Sequence, residues 1–225
     1  MRVALLGHPV AHSLSPRMQN AAFAASGLDW RYEVLDVPPD GLADAVRRLA
    51  AEHWIGANVT IPHKRAAAEL CDEAEGPAVN TLVFAGGRIR GFNTDKEIVA
   101  GIDSECVCLI GAGGAAETVR PGLLGEVRQF SRRGSWPPDA EGCDLIVNAT
   151  PVRDELLVVP RPGQMVVELA YGDEETALVK AARDAGCTVV DGREALVRQG
   201  AASFELWTRV AAPRAVMRRA LGLPV

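Results

Sequence analysis

The chain is 225 residues long, 48% of its residues are hydrophobic, and its formal net charge is −5. That length allows one compact unit with two lobes, and the acidic balance with scattered Lys and Arg argues against a nucleic-acid surface. We therefore expect a small-molecule ligand. No apolar stretch is long enough for a membrane span, and residues 3–6 are too short an apolar run for a secretory signal, so we expect a cytoplasmic protein.

The five cysteines form no C-x-x-C pair, and most lie in apolar runs. Buried free thiols are therefore expected. An odd number of cysteines without a secretory signal also indicates a reducing compartment. We expect no metal site, because Pro9 prevents one helix from presenting both His8 and His12.

The first candidate ligand-binding element in chain order is a helix start. Residues 3–6 predict a buried strand, and Ser15 followed by Pro16 predicts the N-cap and first turn of a helix that runs to Ala25. Hydroxyls at a helix N-terminus can hold a carboxylate. Capping alone would explain Ser15 but would leave Ser13 unexplained.

The next strands bring more polar side chains to the same sheet edge. Residues 32–37 and the apolar run that ends at Thr60 predict two strands with a helical stripe between them, hence a parallel β-α-β-α-β order. Ligands bind beyond the carboxyl ends of such strands. Lys64 lies at this sheet edge, just past Pro62. Pro62 should open a helix, and the positive end of the helix dipole would favour loss of the Lys64 ammonium proton. The alternative is a solvated surface lysine.

A hairpin is predicted around Gly86-Gly87, with arms at residues 79–84 and 89–93. Asn80 begins one arm, and Asp95 follows the other. Asp95 is either a helix cap or, with Lys64, one half of an ammonium–carboxylate couple that could move a proton from a hydroxyl.

The apolar strand over residues 106–110 runs directly into the sequence Gly-Ala-Gly-Gly-Ala-Ala at residues 111–116. Because this G-x-G-x-x-A pattern stands between a strand and a helix, it favours a dinucleotide-binding loop over a structural turn. A second strand, over residues 127–130, is followed by Arg132, where an NAD site would carry an acidic residue. Arginine there favours the 2′-phosphate of NADP, with an exposed basic turn as the alternative.

The rest of the chain predicts further strands over residues 144–151, 165–169 and 188–190, and a helix that Gly186 ends. Another helix then carries Gln199. In this order the motifs resemble the shikimate dehydrogenase family, of which this chain would be an unusually short member. The matching segments are residues 7–9 with 12–16, 58–64, 78–81, 91–95, 111–116, 148–151, and Gln199-Gly200 with Phe204 and Trp207.

The resemblance implies an α/β fold with two lobes and a cleft between them. Residues 1–98, completed by 200–225, would form an N-terminal α/β substrate lobe, and residues 99–199 a Rossmann-type doubly wound NADP lobe. Lys64 and Asp95 would be the catalytic couple. Substrate-binding residues would be Ser13, Ser15, Asn58, Thr60, Asn80, Tyr171 and Gln199. Cofactor-binding residues would be Gly111, Ala112, Gly113, Gly114, Ala115, Ser131, Arg132, Arg133, Asn148, Ala149, Thr150, Leu169 and Gly192.

The departures from the family pattern lie mainly in the cofactor lobe. Lys96 and Arg153 stand where the family usually has glycine, and the segment from Asp95 to residue 106 is abbreviated. Pro121 shortens the helix after the glycine-rich loop, and residues 133–144 leave no room for a full helix.

The activity implied is the reversible reduction of 3-dehydroshikimate to shikimate with NADPH, a step of chorismate and aromatic amino acid biosynthesis. Two alternatives remain open from the sequence. One is a quinate/shikimate dehydrogenase that uses NAD, and the other is a catalytically weak sensor of shikimate or NADP. The expected partners are small molecules, without nucleic acid or membrane, in a monomer or homodimer.

Overall fold

The computed structural model describes the whole chain, Met1–Val225, which divides into two compact units. The first unit combines Met1–Thr94 with Val197–Val225, and the second is Asp95–Leu196. None of the helices combines the length and the apolar character that crossing a lipid bilayer would require.

A mixed six-stranded sheet forms the centre of the first unit. Its strands are β1 (Arg2–Gly7), β2 (Arg31–Asp36), β3 (Gly56–Val59), β4 (Glu73–Ala74), β5 (Thr81–Ala85) and β6 (Arg88–Phe92), in the order β2-β1-β3-β5-β6-β4. The helices are α1 (Ser15–Ala25), a 3-10 helix (Pro39–Gly41), α2 (Leu42–Ala51) and α3 (Lys64–Glu69).

The predicted strand directions of the first unit are confirmed. β1 pairs in parallel with both β2 and β3, as right-handed crossovers require. β5 and β6 form the predicted antiparallel hairpin, and both turn glycines, Gly86 and Gly87, have positive φ angles of 59° and 76°. Glycine adopts this left-handed backbone without the steric cost that other residues carry.

Two local predictions in the first unit were wrong, and one strand was missed. Ser15 is not the N-cap of α1 but its first helical residue, because Leu14 already has helical angles and precedes it as the cap. α3 begins at Lys64 rather than at Pro62, and it ends at Glu69. β4 was not predicted, since two exposed residues carry no hydrophobic period.

The second unit is a five-stranded parallel sheet. Its strands are β7 (Cys106–Ile110), β8 (Glu126–Phe130), β9 (Leu145–Asn148), β10 (Met165–Glu168) and β11 (Thr188–Val190), in the order β11-β10-β9-β7-β8. The helical segments are a 3-10 helix (Asp95–Ile98), α4 (Gly114–Val119), a 3-10 helix (Arg120–Gly122) and α5 (Ala177–Asp184). The expected short α4 and the absence of a helix over residues 133–144 are both confirmed.

Both faces of this second sheet are covered by apolar side chains. Val107 and Leu109 of β7 pack in one cluster with Ala116 of α4, whereas Cys108 and Ile110 pack in the other. Alternate residues of a strand face opposite sides, so a continuous apolar run is typical of a parallel strand buried on both faces.

Two helices complete the chain. α6 (Gly192–Thr208) begins in the second unit and continues into the first, and α7 (Arg214–Ala220) belongs to the first. Phe204 of α6 stacks on Phe23 of α1 with ring centroids 5.4 Å apart, and both rings are fully buried. This contact holds α6 against α1, with the residue pair Gln199-Gly200 one turn away from Phe204.

The expectation of five free thiols was wrong for one pair. Cys106 and Cys143 form a disulfide, with Cα atoms 4.4 Å apart. The two residues meet because β7 and β9 are neighbours and the backbone N–H of Asp144 donates to the carbonyl of Cys106. Cys71, Cys108 and Cys187 are free, and burial raises the pKa of the Cys108 thiol to about 12.

Candidate functional site

The predicted substrate residues of the first unit gather at one edge of its sheet. β1 and β3 end at this edge because they run parallel. β5 runs antiparallel to β3, so Asn80, which precedes β5, lies at the same edge as Thr60. β6 runs back to this sheet edge, and Thr94 follows shortly after the end of β6. The topology thus places the loop after β1, the start of α3 and the start of the hairpin side by side.

Ser13 and Ser15 lie at the beginning of α1. The Ser13 hydroxyl accepts a hydrogen bond from the backbone N–H of Ser15 at 3.2 Å, so Ser13 satisfies a donor of the helix start. The α1 N-cap residue itself makes no side-chain cap bond. Ser13 therefore has the structural role that was expected of Ser15.

Thr60 and Lys64 are fixed by the turn that follows β3. The N–H of Thr60 donates to the carbonyl of Leu6, and a side chain on Gly7 would come within 2.5 Å of the Thr60 methyl group. Gly7 thus allows the ends of β1 and β3 to approach closely. Lys64 is the first residue of α3, and only 9% of its surface is exposed.

His63, which the sequence reasoning missed, anchors the residue next to Lys64. Its Nε2 donates to the carbonyl of Val37 at 2.7 Å, and its side chain is 2% exposed. The backbone carbonyl of Lys64 accepts from the N–H of Val79 at 3.0 Å. The start of α3 is therefore tied both to the end of β2 and to the segment before the hairpin.

Asn80 is oriented by its surroundings. Its Oδ1 accepts from the backbone N–H of Thr94 at 2.8 Å and from the Thr94 hydroxyl at 3.1 Å. Its Nδ2 donates to Oε1 of Gln199 at 3.4 Å. The structure thus brings together the carboxamides of two residues that lie 119 positions apart in the chain.

Asn58 lies deeper than its predicted role in substrate binding would suggest. Its Oδ1 accepts from the Tyr32 hydroxyl, and its Nδ2 is within hydrogen-bonding distance of Thr81 and Ser203. Only 5% of Asn58 is exposed. Both ends of its carboxamide are thus occupied by protein groups.

Asp95 begins the second unit and stands at the start of a 3-10 helix. Its Oδ2 accepts a short 2.5 Å hydrogen bond from the Thr118 hydroxyl of α4, and the side chain is 6% exposed. This bond directs one carboxylate oxygen toward α4. Thr118, fully buried, was not singled out from the sequence.

The glycine-rich loop joins β7 to α4 as predicted. Gly111 has a φ angle of 124°, and a side chain there would come within 2.9 Å of the Ala149 carbonyl. Gly113 has open space where a side chain would stand. The backbone is thus accessible at Gly113, and the half-exposed Gly114 and Ala115 and the exposed Ala112 continue this surface. Such a loop fits the close approach of a pyrophosphate.

The predicted 2′-phosphate residues form a tight turn after β8. The N–H of Ser131 donates to the carbonyl of Ser135, and Arg132 and Arg133 are exposed between them. The Arg132 guanidinium forms an ion pair with Glu155 at 2.9 Å and lies 5.4 Å from the ring centroid of Trp136. The turn therefore offers an accessible cation that already has an anionic neighbour.

Asn148 stabilises the turn after β9 through its side chain. Its Oδ1 accepts from the N–H and hydroxyl of Thr150, while its Nδ2 donates to the carboxylate of Glu168. Glu168 is fully buried and also accepts from Thr176 and from the N–H of Ala170. Burial raises the pKa of the Glu168 carboxyl above its ordinary value of 4.5. An acidic residue at the end of the apolar strand β10 was a signal that the sequence reasoning overlooked.

The remaining predicted residues of the second unit lie around the ends of β9 and β10. Leu169 donates its N–H to the carbonyl of Asn148, and Ala149 is buried beside Gly111. Tyr171 is half-buried in the following loop. Gly192 lets the start of α6 approach this loop, because a side chain there would overlap the carbonyl of Ala170.

Comparisons with known proteins agree with this architecture. The family model of the shikimate dehydrogenase substrate binding domain matches residues 5–82, and that of the shikimate 5′-dehydrogenase C-terminal domain matches residues 192–221. The shikimate dehydrogenase (NADP(+)) of Methanopyrus kandleri is 39% identical over 272 aligned positions, which cover 97% of this chain and 94% of the relative. Because the alignment is longer than this chain, the chain lacks segments that the relative has.

Solved structures give the same result. A shikimate dehydrogenase in complex with NADP+ has a TM-score of 0.89 at 30% identity, with 98% of this chain and 94% of that chain covered. The shikimate 5-dehydrogenase of Thermus thermophilus, in complex with NADP(H) and shikimate, has a TM-score of 0.85 at 30% identity, with 98% of each chain covered.

Proposed function

We propose, since the chain belongs to the shikimate dehydrogenase family, that it catalyses the reversible NADP-dependent interconversion of 3-dehydroshikimate and shikimate. The observation that carries this proposal is the convergence of Lys64, Thr60, Asn80 and the α1 hydroxyls at one edge of the first sheet. These groups suit a substrate that carries a carboxylate and several hydroxyls.

In this proposal Lys64 exchanges a proton with the substrate oxygen that changes between hydroxyl and ketone. Asp95 is its partner and is itself held by the Thr118 hydroxyl. A buried amine that donates or accepts this proton stabilises charge that develops on the oxygen, and general acid–base catalysis of this kind contributes about 10²- to 10⁴-fold.

The other residues hold the substrate in place. We propose that Ser13 and Ser15 bind its carboxylate and that Thr60, Asn80, Gln199 and Tyr171 bind its hydroxyls. Asn58 has protein partners at both ends of its carboxamide, so we assign it an indirect part, in orienting its neighbours.

NADP, when bound, supplies or accepts the hydride. The residues of the second unit fit such a cofactor, because the backbone is open at Gly113 and a cation is exposed at Arg132. We propose that residues 111–115 hold the pyrophosphate, that Arg132 and Arg133 with Ser131 hold the 2′-phosphate, and that residues 148–150, Leu169 and Gly192 complete the site. Asn148 contributes by fixing the turn that carries Thr150.

The test is a spectrophotometric assay of NADP reduction with shikimate, repeated with quinate and with NAD. Turnover with shikimate and NADP that exceeds the other three combinations supports the proposal. Binding of shikimate without turnover by the wild type would instead favour a sensor. The Lys64→Ala variant identifies any background activity, because it removes the proposed proton-transfer group.

A further inference from the structure

A buried hydroxyl on α6 lies at the centre of the polar groups beneath the substrate edge. Ser203 is fully buried, and its Oγ lies 3.0 Å from Nδ2 of Asn58, 2.9 Å from the Thr81 hydroxyl and 3.0 Å from the Thr94 hydroxyl. The backbone carbonyl oxygen of Gln199 lies 3.2 Å from the same Oγ and is a second acceptor for its proton. One side chain thus joins β3, β5, the end of the hairpin and α6.

The two ends of this group have a defined hydrogen-bond direction, and Ser203 stands between them with a single hydroxyl proton. The Tyr32 hydroxyl donates to Oδ1 of Asn58, which leaves Nδ2 of Asn58 to donate toward Ser203. The Thr94 hydroxyl donates to Oδ1 of Asn80, so Ser203 gives its single proton either to the Thr94 oxygen at 3.0 Å or to the carbonyl of Gln199 at 3.2 Å. In the first arrangement a run of hydrogen bonds leads from Tyr32 through Ser203 to the carboxamide of Asn80, and in the second it leads from Tyr32 through Ser203 to the backbone of Gln199.

Both carboxamides proposed to bind substrate hydroxyls depend on this run. Asn80 receives the hydrogen bond from Thr94, and its own Nδ2 donates to Oε1 of Gln199. Gln199 stands four residues before Ser203 on the same face of α6, and its carbonyl is one of the two acceptors of the Ser203 proton. Amide oxygen and nitrogen have opposite hydrogen-bonding character, so a group that fixes one orientation decides which atom meets the ligand.

We propose that Ser203 is a positioning residue for substrate recognition. It holds the carboxamides of Asn80 and Gln199 in the orientation that binds the substrate hydroxyls, without touching the substrate itself. This inference rests on the proposed shikimate site. Buried polar networks that are fully satisfied specify one arrangement of their members, whereas loss of one member leaves the others free to choose new partners.

The test is the Ser203→Ala variant with Thr208→Ala as its matched control. Thr208 lies on the same helix and also donates to the carbonyl four residues earlier, that of Phe204, but it lies outside the network. Both variants remove one such helix bond. Only Ser203→Ala should raise the KM and the Kd for shikimate, by roughly 3- to 10-fold, the equivalent of one ordinary hydrogen bond, with the KM for NADP unchanged.

A double-mutant cycle with Asn80→Ala separates positioning from simple destabilisation. If Ser203 acts through Asn80, the effect of Ser203→Ala on shikimate binding should fall below about 2-fold in the Asn80→Ala background. Additive effects, or a shikimate Kd that Ser203→Ala changes no more than Thr208→Ala does, would overturn the positioning role alone. A wild type that neither binds nor turns over shikimate would overturn the proposed function as well.

Tyr32→Phe is the second variant, for the case in which Ser203→Ala does not fold. It removes only the hydroxyl at the far end of the run, 2.8 Å from Asn58, and keeps the buried ring. A smaller rise in the shikimate Kd, again without change in the KM for NADP, is expected. An unchanged shikimate Kd in Tyr32→Phe would contradict the proposal.

Discussion

The preference for NADP over NAD should depend on a competition between two anions for Arg132. In the structure its guanidinium already pairs with Glu155 at 2.9 Å, and both side chains are more than half exposed. A 2′-phosphate that binds Arg132 must displace this carboxylate or share the guanidinium with it. Removing Arg132 and neutralising Glu155 should therefore change cofactor preference in opposite directions.

The magnitudes follow from the exposure of the pair. An exposed ion pair contributes about 0.2 to 1 kcal/mol, whereas a hydrogen bond to a charged group contributes about 1.5 to 3 kcal/mol. The difference, roughly 0.5 to 2.8 kcal/mol, corresponds to a preference for NADP of about 2- to 100-fold. Arg132→Ala should abolish that preference, and Glu155→Gln should tighten NADP binding by roughly 1.4- to 5-fold. Neither change should alter NAD binding.

The assay is calorimetric titration of each variant with NADP and with NAD at two salt concentrations. Arg128→Ala and Glu126→Gln are matched controls, because these residues form a similarly exposed ion pair at 3.0 Å on β8, before the turn. We expect both control variants to bind NADP and NAD as the wild type does. Arg132→Ala should weaken NADP binding, and Glu155→Gln should tighten it. If the ratio of NADP affinity to NAD affinity is the same in the wild type and all four variants, Arg132 does not bind the 2′-phosphate.

Three further outcomes are expected. Lys64→Ala should lower kcat by about 10²- to 10⁴-fold with a smaller change in the KM for shikimate, and steady-state kinetics that retain most of kcat would remove Lys64 from the mechanism. Ser13→Ala should raise the shikimate KM and also destabilise α1 by about 1 kcal/mol, whereas Ser15→Ala should raise KM alone; equal melting temperatures for the two variants would contradict this. Because burial raises the pKa of Glu168, protonation favours the folded state, so wild-type stability should fall relative to Glu168→Gln as the pH rises above 4.5 through the raised pKa. Parallel curves of unfolding midpoint against pH for these two proteins would exclude that contribution.

The sequence predicted the elements whose signals are local. The hairpin followed from two adjacent glycines between two predicted strands, and both glycines have the positive φ angles that such a turn needs. The strand predicted over residues 106–110 has the same bounds as β7, because an apolar run that ends in a glycine-rich loop has few other interpretations. Proline at residue 121 correctly indicated a short α4.

The errors arose where backbone geometry decides between similar residues. Ser15 has the side chain of an N-cap, but Leu14 before it has φ and ψ of −85° and −8°, which are already helical. The helix therefore begins earlier than the side-chain preference indicated, and Ser13 becomes the residue that satisfies the helix donor. N-cap propensities rank the residue types that suit an N-cap, but they do not show which residue of the chain is the N-cap.

Contacts between distant parts of the chain could not be read from the sequence. Ser203 and Asn58 are 145 positions apart, and no local pattern links them. The one available signal was the spacing of four residues between Gln199 and Ser203, which puts both on one face of a helix. Glu168 was similarly hidden, because its partners Asn148 and Thr176 come from different elements.

The two units therefore differ in how mutation should affect recognition. The proposed substrate carboxamides are held by buried hydrogen bonds, where loss of one partner leaves another unsatisfied and costs more than the bond itself contributed. The proposed phosphate ligand Arg132 stands on an exposed turn and has an exposed competitor, so solvent screens each change there. Substrate recognition should accordingly be sensitive to buried substitutions that never touch the ligand, such as Ser203→Ala, whereas cofactor preference should change in small steps through surface charge.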